Sequence, residues 1–279
     1  MRRFVFAALL ACFAALLAFS CASAPPPRLV DGTAWKEIRV NGETITAPMS
    51  VYEIAEYDSS GNLIHRVNQL DEWRYEYDSA GRKIHSTRSW LQLSGDGKKK
   101  DSIESWYEYD ANGRKILKRS DLGHQVRYEH DASGNVILGT SADTTSREWY
   151  EYDANGRLSV TLFVSNVLWR KSTEVRFQYD DKGNMICEKT HMVDRHLYPD
   201  DPAGHTSERR FEYDEKGRLI HLKDSEGPEE WYEYDDKGNR IGRRNSYGAI
   251  FRTDYTFWQN GKVKTKTEYV YHPKDHARP

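Results

Sequence analysis

Eight aspartates recur with fixed neighbours and are the first groups to weigh for chemistry: Asp58, Asp78, Asp110, Asp131, Asp153, Asp180, Asp214 and Asp235. Each is followed three residues later by a glycine, at Gly61, Gly81, Gly113, Gly134, Gly156, Gly183, Gly217 and Gly238. Stretches such as Asp110-Ala111-Asn112-Gly113 offer the beginning of an oxygen-rich cation loop. Calcium, however, needs about six oxygens from a longer loop with a late bidentate acid. The copies at Asp58 and Asp131 also carry serine where a ligand is needed. A structural turn explains all eight at once. His191, Asp194, His196, Asp200 and Asp201 crowd one insertion, but their spacing fits no zinc pattern, and no metal or cofactor is expected.

Catalytic arrangements are equally thin. Carboxylates are numerous enough that a pair acting on a glycosidic bond can be drawn, yet most stand at the one repeated position. Nothing matches a nucleophile elbow, a phosphate-cradling glycine loop or a metalloprotease helix. Cys187 follows Ile186 in an alternating stretch with no histidine and third group arranged around it, so a packed thiol is expected rather than a nucleophile. The better functional candidates are aromatic. Trp73, Trp106, Trp149 and Trp231 stand just before the tyrosine pairs of their repeats, and stacked units would bring them into a row. Flat apolar faces of that kind bind sugars and protein side chains, or simply pack unit against unit.

The elements that must position these groups are repeats. Trp-Tyr-Glu-Tyr-Asp-Ala-Asn-Gly-Arg occurs unchanged at 106–114 and 149–157, and looser copies fill most of the chain. Before each aspartate, aromatic and polar residues alternate, as in Val175-Arg176-Phe177-Gln178-Tyr179, and a period of two means a strand. Asp-x-x-Gly supplies the hairpin loop. Ile64, Ile84, Ile116, Ile137, Ile186, Ile220 or Ile241 follows three residues after the glycine, with Ser159 the exception. The expected fold is all-β: tandem β-hairpin repeats forming one elongated, curved or spiralling antiparallel sheet. A three- or four-residue loop decides which side chains share a face. Four residues would set Tyr107 across from Ile116 and Tyr232 across from Ile241. Extra residues at 87–105, 160–174 and 188–208 all fall in the connection after the isoleucine strand, along one rim.

Composition agrees with a thin sheet. Hydrophobic residues make up only 38% of the 279, and 18 tyrosines supply much of the apolar surface. A net charge of −2 gives no reason to expect a nucleic-acid partner. Lys98-Lys99-Lys100 reads as a solvated hairpin tip.

The N-terminus predicts export. Arg2-Arg3 precede an apolar run from Phe4 to Phe19, too short for a convincing membrane span. Leu17-Ala18-Phe19-Ser20-Cys21 resembles a bacterial lipobox. Residues 1–20 are then the signal peptide, and Cys21 the acylated residue that holds the protein on a membrane. Residues 21–34 form a Pro-rich linker, 35–272 the repeat domain and 273–279 a tail. Ala22-Ser23-Ala24 offers the competing cleavage site, but Pro25 follows it. By resemblance to other bacterial lipoproteins, Ala22 after the cysteine points to the outer membrane of the cell envelope. No disulfide is available, because only Cys187 of the three cysteines lies beyond this segment.

The motif Tyr109-Asp110-Ala111-Asn112-Gly113-Arg114-Lys115-Ile116 and its copies, from about Glu53 to Arg243, resemble the YD repeat of the Rhs family. That family is known from bacterial polymorphic toxins, insecticidal toxin complexes and teneurins. The resemblance implies a sheet that spirals into a hollow shell. The chain lacks a recognisable Rhs core and room for a toxin domain, so encapsulation is not implied. The unit Phe257 to Lys264 lacks Tyr-Asp and resembles the hairpins of MORN-like repeat proteins; with Val40 to Glu43 it is expected to cap the array. The function expected is a non-catalytic envelope lipoprotein binding a glycan or protein partner, its oligomeric state open. The alternatives are an accessory or immunity-like partner of an Rhs-type toxin, and a glycan-acting enzyme using carboxylates of the long insertions.

Overall fold

The structure is a computed structural model that describes residues 32–40, 43–91, 100–165, 171–194 and 203–272. The expected signal peptide, Cys21, the tail, Asn41-Gly42 and the tips of the three long insertions, with His196, Asp200 and Asp201, lie outside the described residues. All regular structure is strand: β1 (Thr33–Val40), β2 (Glu43–Tyr57), β3 (Leu63–Asn68), β4 (Asp71–Tyr77), β5 (Lys83–Leu91) and β6 (Lys100–Tyr109). There follow β7 (Lys115–Ser120), β8 (Gln125–His130), β9 (Val136–Ser141), β10 (Ser146–Tyr152), β11 (Leu158–Ser165) and β12 (Lys171–Tyr179). The rest are β13 (Met185–Asp194), β14 (His205–Tyr213), β15 (Leu219–Asp224), β16 (Glu230–Tyr234), β17 (Arg240–Asn245), β18 (Ile250–Phe257) and β19 (Val263–Tyr271).

From β2 onward each strand pairs antiparallel with the next, and β19 pairs back onto β2 through Thr265↔Glu56 to Val270↔Ser50. The curved sheet therefore closes into an up-and-down barrel. Phe257 to Lys264 and its neighbours do not cap an open end, as the sequence suggested; they form the closing seam, because a closed ring leaves no edge to protect. Across this seam Trp258 Nε1 donates to the Tyr57 carbonyl at 3.1 Å, Asn260 Nδ2 to Ser59 at 2.8 Å and Lys262 Nζ to Ser60 at 2.7 Å. The first half of β2 runs on past the seam and pairs with β1. That hairpin lays Ile38, Ala47 and Met49 over Ile250, with Tyr269 and Tyr271 against the cluster. The barrel wall is otherwise one sheet thick.

The loop holds three residues, not four. In the unit at Asp110, the Asp110 amide donates to the Arg114 carbonyl at 2.9 Å and the Gly113 amide to the Asp110 carbonyl at 2.9 Å. Gly113 sits at φ 80°, the left-handed conformation such a loop requires. Tyr109 then pairs with Lys115, a β-bulge absorbs Ile116, and Glu108 pairs with Leu117. Tyr107 consequently faces Lys118 rather than Ile116, and Tyr232 faces Arg243 rather than Ile241. The same bulge recurs after Asp58, Asp78, Asp131, Asp153, Asp180, Asp214 and Asp235. It leaves the seven repeated isoleucines between 36% and 39% exposed. The insertions lengthen the β5–β6, β11–β12 and β13–β14 hairpins, all on the rim opposite the Asp-x-x-Gly loops.

Candidate functional site

Each aspartate carboxylate is consumed by its own loop. In the unit at Asp110, Oδ1 accepts from the backbone amides of Asn112 and Arg114 at 2.9 Å, and Oδ2 accepts from Arg114 Nε at 2.6 Å. The residue after the glycine always completes this clasp: Arg82, Arg114, Arg157 and Arg218 through Nε, and Asn62, Asn135, Asn184 and Asn239 through Nδ2. These hydrogen bonds hold all eight carboxyls below their usual pKa. Among the described residues no group of three or more His, Cys, Asp or Glu side chains could hold a metal.

The second tyrosine of each motif clamps one hairpin to the one before. Tyr77, Tyr109, Tyr152, Tyr179, Tyr213 and Tyr234 donate their hydroxyls to the carbonyls of Leu63, Lys83, Val136, Leu158, Met185 and Leu219, at 2.7 to 2.9 Å. The first aromatic of the motif shares that face. Burial pushes the Tyr128 hydroxyl up to about 12. Burial, and then hydrogen bonding to Glu148 and Glu230, raises Tyr150 and Tyr232. Arg243 crosses this tyrosine face, bonding Glu230 at 2.5 Å and lying 3.5 Å from Glu268.

The tryptophans do not form one row. Trp106, Trp149 and Trp231 immediately precede the first tyrosine and so emerge on the opposite face, whereas Trp73 stands two residues before Tyr75 and shares the tyrosine face. Trp73 lies under Arg66, its cross-strand partner. The other three are on β6, β10 and β16, four and six strands apart, which at the usual strand spacing is roughly 19 and 29 Å along the sheet. Each is half-buried.

Two of them share a setting that the repeat pattern alone does not announce. Trp106 stacks on His85, with ring centroids 5.3 Å apart, and Arg119 lies 5.5 Å from its ring on the other side. Trp231 stacks on His221 at 5.3 Å, with Arg244 at 4.2 Å. His85 lies 3.2 Å from Glu76 and 3.7 Å from Glu104, while His221 lies 3.2 Å from Glu212 and 3.8 Å from Glu229. His65 has the same company in Glu56 and Glu72, without a tryptophan. The signal was present in the sequence as Ile64-His65, Ile84-His85 and Ile220-His221, a histidine directly after the repeated isoleucine. Trp149 differs, flanked by Leu138 and Leu162. Cys187 is half-buried and unbonded to sulfur, and burial followed by Glu208 pushes its thiol up, away from nucleophilic use.

A sequence model described as Teneurin YD-shell matches residues 114–277. No curated protein matches the chain. Among solved structures, a porin-like protein from Bacteroides uniformis is similar at 13% identity over 80% of this chain and 97% of that one, with a TM-score of 0.47. The complex TcdB2-TccC3-Cdc42 is similar at 14% identity and a TM-score of 0.33, over 78% of this chain but 15% of that chain. The Photorhabdus luminescens Tc holotoxin pore is similar at 15% identity and a TM-score of 0.32, over 75% of this chain and 14% of that one.

Proposed function

The chain belongs to the teneurin YD-shell family, and on that premise we propose that it is a non-catalytic barrel, lipid-anchored to the cell envelope, that binds a glycan or protein partner through its tryptophan face. The supporting observation is the division of labour between residue types. The recurrent carboxylates that could have done acid–base work are tied into loops by three hydrogen bonds each in units such as Asp110. Trp106 and Trp231, by contrast, are half-exposed between an imidazole and a guanidinium. An aromatic plane edged by hydrogen-bonding groups suits sugar rings and protein side chains.

The anchor we propose is supported by Cys21 in its lipobox-like setting, and the outer membrane by Ala22 after it; on this reading the barrel sits at the membrane surface rather than across it. Spanning strands need a continuous apolar band on one face. Here the tryptophan face carries Glu108 and Arg119 and the tyrosine face Lys115 and Lys118 within one hairpin. The test uses the full chain in a glycan-array and pull-down screen beside W106A/W149A/W231A. Binding lost from a variant with unchanged circular dichroism supports the reading; equal binding by both forms removes the tryptophan face from it. Loss of membrane association in C21S checks the anchor.

A further inference from the structure

Of the seven tyrosines at the second position of the motif, six clamp and one does not. Tyr57 occupies the second-tyrosine position of the first unit, pairing with Leu63 across its bulge as Tyr109 pairs with Lys115. By the pattern its hydroxyl should reach the Val263 carbonyl across the seam, yet it makes no hydrogen bond to any described residue. It lines instead an open cleft of about 720 Å³ at the seam, whose other walls include Arg240, Tyr255, Phe257, Lys262 and Lys266. A cleft of this size has room for one sugar-sized ligand.

Lys266 is the second anomaly. It is half-buried opposite Tyr255 on β18 and Ala55 on β2, and it forms no hydrogen bond or ion pair with any described residue. Burial lowers its proton affinity first and nearby Arg240 lowers it further, against the pull of Glu268 and Glu53. The neighbouring cations already have hydrogen-bond partners: Arg240 lies 3.4 Å from Glu268, and Lys262 bonds the Ser60 carbonyl. The site thus holds one ammonium without a hydrogen-bond partner among the described residues and one unused hydroxyl, beside the stacked rings of Tyr255 and Phe257, whose centroids are 6.2 Å apart.

We propose that this seam cleft binds a carboxylate-bearing sugar ring, its acid group taken by Lys266 and the Tyr57 hydroxyl and its ring set against Tyr255 and Phe257. A carboxylate can take one hydrogen bond on each oxygen from the ammonium and the hydroxyl, and the aromatic wall gives a ring, which inorganic phosphate lacks, something to lie on. The site uses none of the three tryptophans of the opposite face. It goes beyond the reading above, and either can fail alone.

Isothermal titration of the full chain with sodium glucuronate, glucose and inorganic phosphate tests it. Glucuronate should bind, and glucose about tenfold more weakly, as expected for loss of a charge-assisted hydrogen bond. K266M should weaken glucuronate by about tenfold and the isosteric Y57F by a smaller factor, both with unchanged circular dichroism, whereas W106A/W149A/W231A should leave it intact. Phosphate binding more tightly than glucuronate, no glucuronate binding, or binding indifferent to both K266M and Y57F would overturn the proposal. Should K266M fail to fold, Y57F decides alone.

Discussion

At the scale of single residues, the aspartate clasp and the tyrosine clamp convert a short motif into a joint. The clasp makes the fold sensitive to acid. All eight loop carboxyls are held below their ordinary pKa by hydrogen bonds present only in the folded chain. A depressed folded-state pKa contributes stability above the unfolded value, and that contribution fades as pH falls through the folded value. Melting temperature measured from neutral pH downward should therefore hold until about pH 4 and then drop steeply. The clamp is testable alone. Tyr109→Phe keeps the ring and removes the hydroxyl bond to the Lys83 carbonyl. It should cost about 1 kcal/mol in urea unfolding, and no loss would mean that ring packing does all the work.

At the scale of the element, the hairpin was largely legible and its register was not. Period two before the aspartate and the Asp-x-x-Gly loop identify strand and turn because both signals are local. The bulge at Ile116 is not local in that sense: it depends on Asp110 and Arg114 closing a tight loop and on the sheet then realigning Glu108 with Leu117. Without the bulge the isoleucines would stand opposite the first tyrosines; with it they are partly exposed. Trp73 leaves the expected row for a related reason, since an offset of one residue from the position of Trp106 is a change of face. The loop glycine gives the prediction at this scale. Gly156 lies at φ 75° with open space where a Cβ would go, so Gly156→Ala should destabilise by about 1 kcal/mol through backbone strain alone. Chemical denaturation measures it, and a neutral outcome would show the loop able to change type.

For the whole molecule, closure is the property that no single repeat announces. A curving array of hairpins is written in every unit, but whether its ends meet depends on accumulated twist and on the seam contacts of Trp258, Asn260 and Lys262. The seam region also carries a charge cluster, in which Arg243 is shared by Glu230 and the buried Glu268. Arg243→Met leaves Glu230 without this cation and Glu268 with Arg240 alone, and should cost about 3 kcal/mol, read as a lowered urea midpoint. Removing β19 entirely should be more damaging than losing a terminal repeat from an open array, because it exposes two unpaired edges at once. Size-exclusion chromatography of a chain ended at Lys262 should show aggregates; a well-behaved monomer would mean that the sheet does not need the β19–β2 pairing.

Because β19 returns to β2, the repeats have neighbours on both sides and share one circumference. Gain or loss of a hairpin by duplication or deletion in the coding sequence would change the girth by two strand spacings, about 10 Å, while leaving each surviving joint chemically unaltered. The vessel's bore could thus be resized in discrete steps over evolution without redesigning its wall, provided the two ends that form the seam were carried along each time.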